Sequence, residues 1–272
     1  MLILLTGCMT LDGFFFAGTR VDEYELASDV IPSEQLEEVS FPGADGNTLW
    51  GVWAHQTVAG APVLVFFHGN TGNIDNNFDR PEYYWSWGFE TFIFDYRGFG
   101  KSDGDADYAG VISDAGSAID YVSETTGLPT TDLSYLGHSL GGFASIHNAA
   151  AKPPKVLITE SMFASAQHLS NDGMGLDLPT GWFFADPFDN VAAAKQVTVP
   201  FLIIHGEEDE FIAISNGEEI AAAANDPSLF WRVPGGGHST IPDVDPDGYR
   251  QHVQCWSLQD PACPAELLPV PP

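Results

Sequence analysis

Short, uninterrupted apolar runs recur along this 272-residue chain and constrain its fold more than any other feature. Residues 63–67, Val-Leu-Val-Phe-Phe, present no polar side chain to either side of an extended strand. Such a run indicates a strand that is buried on both faces of a largely parallel sheet. Strand-like segments are predicted at residues 49–55, 62–68, 90–96, 133–137, 155–159, 200–205 and 229–233.

Segments with helical patterning alternate with these strands. They are predicted at residues 74–87, 106–125, 141–151 and 213–224, with a last helix near 247–255. This alternation predicts an α/β fold in which right-handed crossovers place helices on both faces of the sheet. Because active sites of such sheets lie at the carboxyl ends of the strands, we expect functional residues directly after strands.

A Gly-x-Ser-x-Gly motif at residues 137–141 follows one of these strands and opens a predicted helix. In that context the motif indicates a sharp turn that exposes a nucleophilic hydroxyl above the sheet. Gly137 and Gly141 are needed where a Cβ would collide with the neighbouring strand and helix. We therefore predict Ser139 as a nucleophile and expect His138, in the variable position, to be structural.

A serine hydroxyl is a weak nucleophile at neutral pH, so it needs a histidine base that a carboxylate orients. The strand at 200–205 leads into an acidic run at residues 207–210, and the next strand ends in three glycines followed by His238. The order serine, acid, histidine along the chain is the one expected when the serine lies in a strand–turn–helix elbow. We predict His238 as the base, while the residues alone leave the choice of acid open.

Several motifs together resemble the α/β hydrolases. They are His68-Gly69-Asn70, the segment Asp-Tyr-Arg-Gly-Phe-Gly-Lys-Ser at residues 95–102, and the elbow. The resemblance extends over about residues 38–256 and is nearest to the branch that contains acyl-protein depalmitoylases and uncharacterised bacterial hydrolases. It implies a mostly parallel, eight-stranded sheet with helices on both faces and a short lid.

The resemblance also implies roles for individual residues. The acid of the family lies three residues after the glycine that ends its strand, which corresponds to Asp209, and the base corresponds to His238. The oxyanion hole corresponds to the backbone N–H groups of Leu140 and Asn70, which would point at the oxygen that gains charge. The chemistry requires no cofactor.

The lid of the family corresponds to about residues 161–195. Here the alternation of strand and helix patterns ends, and glycine, proline and aromatic residues follow. A segment of this length suffices only for a short lid. Its apolar side chains could line a pocket for an acyl or alcohol group, or could simply pack the lid on the core. The candidate pocket residues are Met162, Phe163, Trp182, Phe183 and Phe211.

Charge excludes one class of function. The net charge of −29 comes from 38 acidic and only 9 basic residues, so the surface repels phosphates and nucleic acid is not an expected partner. Acidic segments at 103–107 and 243–248 are interpreted as helix-initiating, because they depart from the calcium-loop pattern. We predict no metal site, and we expect Asp95 and Arg97 to form a structural ion pair.

The N-terminus carries a separate resemblance. Leu5-Thr6-Gly7-Cys8 resembles the lipobox of bacterial lipoproteins, which implies an acylated Cys8, a membrane tether and an extracytoplasmic location. Residues 1–35 would then be a signal- or tether-like arm, poorly ordered over 9–35, before a hydrolase domain at 36–272. The alternative is a cytoplasmic protein with a chance cysteine.

Two further expectations concern the C-terminal cysteines and the assembly. Cys255 and Cys263 lie eight residues apart and could close a small disulfide loop in an oxidising compartment, or could remain unpaired thiols. We expect a monomer.

These features favour a serine hydrolase that cleaves an ester or thioester through an acyl-enzyme intermediate. Its substrate would be a small molecule or an acyl group. A peptidase or amidase on the same triad remains an alternative, because the motifs do not separate the two. A non-catalytic surface lipoprotein that keeps the scaffold for binding is the alternative from a different class.

Overall fold

An eight-stranded sheet forms the centre of the computed structural model, which describes residues 16–168 and 188–269. The strands are β1 (Leu36–Pro42), β2 (Thr48–Ala54), β3 (Val63–Phe67), β4 (Glu90–Asp95), β5 (Ser134–His138), β6 (Val156–Glu160), β7 (Phe201–Gly206) and β8 (Ser228–Val233). Their spatial order is β8-β7-β6-β5-β3-β4-β2-β1. β2 pairs antiparallel with both of its neighbours, β1 and β4, and the other neighbouring strands of this sheet pair in parallel. The predicted mostly parallel sheet is confirmed.

Helices connect the strands and cover the sheet. They are α1 (Asp79–Ser86), α2 (Tyr108–Thr126), α3 (Leu140–Ala149), α4 (Asn190–Ala194), α5 (Ser215–Ala223), α6 (Ile241–Val244) and α7 (Pro246–Leu258). The segment 74–87, predicted as one helix, is a 3-10 turn at Ile74–Asn77 followed by α1. Strand β1 was not predicted, because Glu37, Glu38 and Pro42 interrupt its pattern. An edge strand tolerates such residues.

The central strand β3 shows why its sequence is continuously apolar. Val65 and Phe67 belong to the apolar cluster on one face of the sheet, which includes residues of α2 and α3. Leu64 and Phe66 belong to the cluster on the other face, which includes residues of α1 and α7. Both sets of side chains are therefore buried, as a strand between two helical layers requires.

The expectation of a poorly ordered lead-in over residues 9–35 is wrong for residues 16–35. Ala17–Gly18 pairs in parallel with Thr71–Gly72, directly after β3. The side chain of Ile31 is 1% exposed and belongs to one of the two apolar clusters. Backbone pairing and apolar burial therefore attach this part of the predicted arm to the domain.

The two ends of the chain bear on the cysteine predictions. Cys8 and its apolar run lie outside the described residues, so the tether stays a prediction. Cys255 and Cys263 form a disulfide that joins α7 to the segment after it, which is the first of the two alternatives. Within residues 16–168 and 188–269, no helix has the length and apolar character needed to span a membrane.

A buried ion pair ties the sheet to the helices outside it. Arg80 of α1 donates two hydrogen bonds, of 2.8 and 2.9 Å, to Glu160 at the end of β6. Tyr249 of α7 donates to the same carboxylate at 2.7 Å. Arg80 is 5% exposed and the other two side chains are 0% exposed. One carboxylate thus holds two helices against the carboxyl end of the sheet.

The same contacts make the fold sensitive to acid. Burial alone would raise the pKa of the Glu160 carboxyl, but Arg80, His138 and the Tyr249 hydroxyl lower it below its ordinary value of 4.5. Because the pKa is depressed in the folded state, the ionised pair stabilises the fold above the unfolded-state pKa. This stabilisation is lost as the pH falls through the folded-state value.

We expect Glu160→Gln to lower the thermal unfolding midpoint at neutral pH by about 10 °C, because a buried Arg80 without a counter-charge costs about 3–5 kcal/mol. Scanning calorimetry measures this difference, which should narrow as the wild-type carboxylate becomes protonated at low pH. Asp120→Asn is the control, since it breaks an exposed pair with Lys152 and should change stability by less than about 1 kcal/mol. Equal midpoints for the two variants would contradict the prediction.

Candidate active site

The turn between β5 and α3 holds Ser139 in a strained backbone conformation, with φ 53° and ψ −114°. Gly141 cannot carry a side chain, because a Cβ there would lie 1.8 Å from the Phe67 carbonyl oxygen at the end of β3. A Cβ on Gly137 would lie 2.3 Å from the Gly141 carbonyl oxygen. The predicted strand–turn–helix elbow is therefore present at the carboxyl end of the sheet.

The structure brings together the three side chains predicted as a triad. His238 Nε2 lies 3.1 Å from Ser139 Oγ, and His238 Nδ1 lies 2.9 Å from Asp209 Oδ2. An ionised carboxylate can only accept, so Nδ1 carries a proton, and a neutral ring then has Nε2 free to accept from the hydroxyl. The arrangement can move a proton away from Ser139.

The surroundings of Asp209 keep its carboxylate ionised. Its Oδ1 accepts hydrogen bonds from the backbone N–H groups of Phe211 and Ile212, at 2.9 and 2.8 Å. His205 Nε2 approaches Oδ2 to 3.4 Å from inside the sheet. Burial alone would raise the pKa of Asp209, but the hydrogen bonds of His205, His238 and the Ile212 N–H hold it well below its usual range. Asp209 therefore carries a negative charge at neutral pH.

The other carboxylates of the acidic run have different surroundings. Glu207 pairs with Arg232 at 3.1 Å. Glu210 Oε2 accepts from the backbone N–H of His238 at 3.3 Å, away from the ring. Glu208 is exposed to solvent. Within the acidic run, the contacts to the imidazole come from Asp209.

Two side chains outside the predicted triad hold the loop that carries His238. His138 Nε2 donates to the His238 carbonyl oxygen at 2.9 Å, and Arg80 Nη2 donates to the Ser239 carbonyl oxygen at 3.1 Å. Burial lowers the pKa of His138 to about 4, so at neutral pH the ring is uncharged and keeps one N–H for this bond. The expected structural role of His138 thus has a specific contact.

Sequence reasoning did not single out Arg80 or Glu160 as residues that support the site. The signal was a glutamate at the end of a buried strand that begins with three apolar residues. A buried charge needs a partner of opposite charge. The chain has only 9 basic residues in all, so few partners were available.

The two predicted oxyanion donors lie on either side of Ser139. Leu140 is the first residue of α3, so its N–H has no acceptor within the helix. The Ser139 N–H already donates to the Glu160 carbonyl oxygen at 2.8 Å. Asn70 follows Gly69, on which a Cβ would lie only 3.7 Å from Ser139 Cβ. The loop after β3 therefore approaches Ser139, as the predicted role of Asn70 requires.

The predicted pocket residues occupy different environments. Met162 and Phe163 are each 2% exposed and belong to the apolar core, where Phe163 contacts Phe143 at a ring distance of 6.2 Å. Phe211 is 55% exposed and lies 5.4 Å from the His238 ring. Trp182, Phe183 and most of the predicted lid lie outside the described residues. The structure therefore places one candidate, Phe211, beside the triad on an open surface.

The expected ion pair between Asp95 and Arg97 is wrong, because each group finds a partner on another element. Arg97 donates to both carboxylate oxygens of Asp114 in α2, at 2.7 and 2.9 Å. Asp95 instead accepts from the Tyr24 hydroxyl at 2.6 Å and lies 3.1 Å from His68 Nε2.

The acidic segments interpreted as helix-initiating do cap helices. Asp107 accepts from the Gly110 N–H at the start of α2, and Asp245 accepts from the Gly248 N–H at the start of α7. Among the residues that the structure describes, no three histidine, cysteine or acidic side chains are grouped as a metal site would require.

Comparison with known proteins gives consistent results. Residues 62–158 match the model of a family described as alpha/beta hydrolase fold. The chain is 29% identical to the uncharacterised protein YfhR of Salmonella typhi, over 75% of each chain. It is 27% identical to the alpha/beta hydrolase domain-containing protein WAV2 of Arabidopsis thaliana, over 74% of this chain and 72% of WAV2. The esterase Pf2001 of Pyrococcus furiosus superposes with a TM-score of 0.71 at 19% identity, covering 89% of this chain and 98% of the esterase.

We expect Asp209→Asn to reduce kcat for ester hydrolysis by about 10⁴-fold, because an amide leaves the imidazole in the wrong tautomer. The adjacent Glu208→Gln is the matched control and should stay within about twofold of wild type, since surface changes of this kind have small effects. Steady-state kinetics on a p-nitrophenyl ester measures both. A larger loss in Glu207→Gln, Glu208→Gln or Glu210→Gln than in Asp209→Asn would show that the acid is assigned to the wrong residue.

Proposed function

Because the chain has the α/β-hydrolase fold, we propose that it is a serine hydrolase. It cleaves a carboxylic ester or thioester through an acyl-enzyme intermediate on Ser139. The observation that carries the proposal is the continuous contact from Ser139 Oγ through His238 to Asp209, with distances of 3.1 and 2.9 Å. The esterase name of the similar Pyrococcus furiosus protein supports the choice of ester.

The first half of the reaction forms the acyl-enzyme. His238 Nε2 takes the hydroxyl proton while Ser139 Oγ attacks the carbonyl carbon of the substrate. Asp209 stays ionised and stabilises the imidazolium that results. The carbonyl oxygen gains negative charge and accepts from the N–H groups of Leu140 and Asn70. Loss of one such donor costs about 3–4 kcal/mol in the enzymes where it has been measured.

The second half releases the products. The tetrahedral intermediate collapses as His238 gives its proton to the leaving alcohol or thiol. Water then attacks the acyl-enzyme, with His238 again accepting a proton, and Ser139 is regenerated. A peptidase or amidase would use the same groups and differ in the leaving amine, so a substrate panel separates the two reactions.

The strained backbone conformation of Ser139 favours a catalytic role over a purely binding one. A backbone conformation with φ 53° is unfavourable in free energy for a non-glycine residue, so it persists only where the surroundings enforce it. Here a close approach of β3 and the pairing of Ser139 N–H with Glu160 enforce it. Strain of this kind is typical of functional sites, and here it lies at the residue whose hydroxyl contacts His238.

We expect Ser139→Ala to fold normally and to lose ester hydrolysis by at least about 10³-fold, because the nucleophile is absent. A fluorophosphonate probe, followed by intact-protein mass spectrometry, should label the wild type once and leave the variant unlabelled. Ser117→Ala in α2 is the control, because its hydroxyl bonds only the turn of its own helix. Activity of Ser139→Ala within tenfold of wild type would overturn the proposal.

We expect the rate to be highest for short to medium acyl chains, since residues 161–195 leave room only for a short lid. A series of p-nitrophenyl acetate, butyrate, octanoate and palmitate, together with matched thioesters and anilides, measures this preference. A steady rise up to palmitate would contradict the pocket size. Anilide hydrolysis as fast as ester hydrolysis would favour the amidase reaction.

A further inference from the structure

Residues 17–24, here called the strap, run beside the loop that carries Asn70. Ala17–Gly18 pairs with Thr71–Gly72. The Ala17 N–H donates to Asn70 Oδ1 at 3.1 Å, and the Thr19 N–H donates to the Gly72 carbonyl oxygen at 2.8 Å. The strap thus contacts the residue that supplies one proposed oxyanion donor and the two residues after it.

Tyr24, at the other end of the strap, is linked to the same loop through the side chains of Asp95 and His68. Tyr24 donates to Asp95 Oδ2 at 2.6 Å. Asp95 Oδ1 lies 3.1 Å from His68 Nε2, at ion-pair distance but outside hydrogen-bond geometry. Asp95 and His68 are both 0% exposed. Burial and then the Asp95 carboxylate raise the pKa of Tyr24 well above its ordinary value, so the hydroxyl keeps its proton and donates.

His68 connects this chain to the oxyanion loop. Its Nδ1 lies 2.7 Å from the Gly69 carbonyl oxygen, and a carbonyl can only accept, so Nδ1 donates. The carbonyl of Gly69 and the N–H of Asn70 belong to one planar trans peptide and point in opposite directions. Holding the carbonyl toward His68 therefore turns the Asn70 N–H away from His68.

A glycine makes the close packing around Asp95 possible. Gly100 has φ 48°, and a Cβ there would lie 1.9 Å from Asp95 Oδ2. The Gly100 N–H donates to the Thr19 carbonyl oxygen at 2.9 Å, and its carbonyl accepts from the Val21 N–H at 3.1 Å. The segment after β4 and the segment after β3 thus hold the strap between them.

We propose that the strap is a positioning element of the oxyanion hole, with Tyr24 acting through Asp95 and His68 on the Gly69–Asn70 peptide, and Ala17 acting on the Asn70 side chain. This inference rests on the proposed function. Tyr24 does not touch substrate. It sets the direction of a donor that matters only when the carbonyl oxygen is charged, so it affects kcat more than KM.

The test uses the full chain with Tyr24→Phe, and Ala17→Pro as a second variant that removes the other contact while sparing the ladder bond at Thr19. We expect kcat for p-nitrophenyl butyrate to fall about tenfold in each variant, less than the roughly 100- to 1,000-fold that follows loss of a whole oxyanion donor. KM should stay within twofold. The inhibition constant of a trifluoromethyl ketone, whose adduct with Ser139 carries an oxyanion, should rise by the same factor as kcat falls.

Tyr121→Phe is the matched control, because Tyr121 is partly buried, stacks on Phe41 at a ring distance of 4.8 Å against the core, and has no role in the proposed site. It should leave kcat, KM and the inhibition constant unchanged. A Tyr24→Phe protein with a lower melting temperature but wild-type kcat and inhibition constant would overturn the inference, as would a fall in kcat without weaker ketone binding. If the wild type neither hydrolyses esters nor reacts with a fluorophosphonate, the proposed function itself fails, and the strap loses its role with it.

Discussion

The proposed active site depends on the close approach of two backbone segments, the end of β3 and the start of α3. At Gly141 this approach leaves no room for a single methyl group. It brings the Gly69 loop next to Ser139, and it forces the turn that strains Ser139. The proposed nucleophile and one proposed oxyanion donor therefore take their relative positions from main-chain packing, which is stiffer than contacts between flexible side chains.

Much of this arrangement could be predicted, because its signals are local. A continuous apolar run indicates a strand that is buried on both faces. The glycines of the elbow can be recognised within the five residues of the motif. The assignments of Ser139 and His238 followed from such patterns, and the family resemblance supplied Asp209. Contacts between distant segments could not be predicted in this way. Nothing in the sequence around Tyr24 shows that it reaches Asp95, 71 residues away.

Two errors have the same physical origin. Asp95 and Arg97 are two residues apart, and their opposite charges suggested a pair, but each had a better-placed partner on an element whose position the sequence does not reveal. The apolar residues of segment 16–35 do not recur at a regular spacing, so its sequence indicates a poorly ordered arm. The order of this segment comes from backbone hydrogen bonds, the hydrogen bond from Tyr24 to Asp95 and the burial of Ile31, none of which depends on periodicity. Supporting contacts of this kind are properties of the folded chain.

Glu160 has a position with consequences for motion. Its main-chain carbonyl binds the N–H of Ser139, and its side chain binds Arg80, which holds the carbonyl of Ser239. Ser139 and the loop that carries His238, the proposed nucleophile and base 99 residues apart in sequence, are thus both held by Glu160 of β6. A displacement of that strand carries both groups in the same direction, so the gap between them changes less than the displacement itself. Proton transfer depends on this separation, so we expect small motions of the sheet to affect it little.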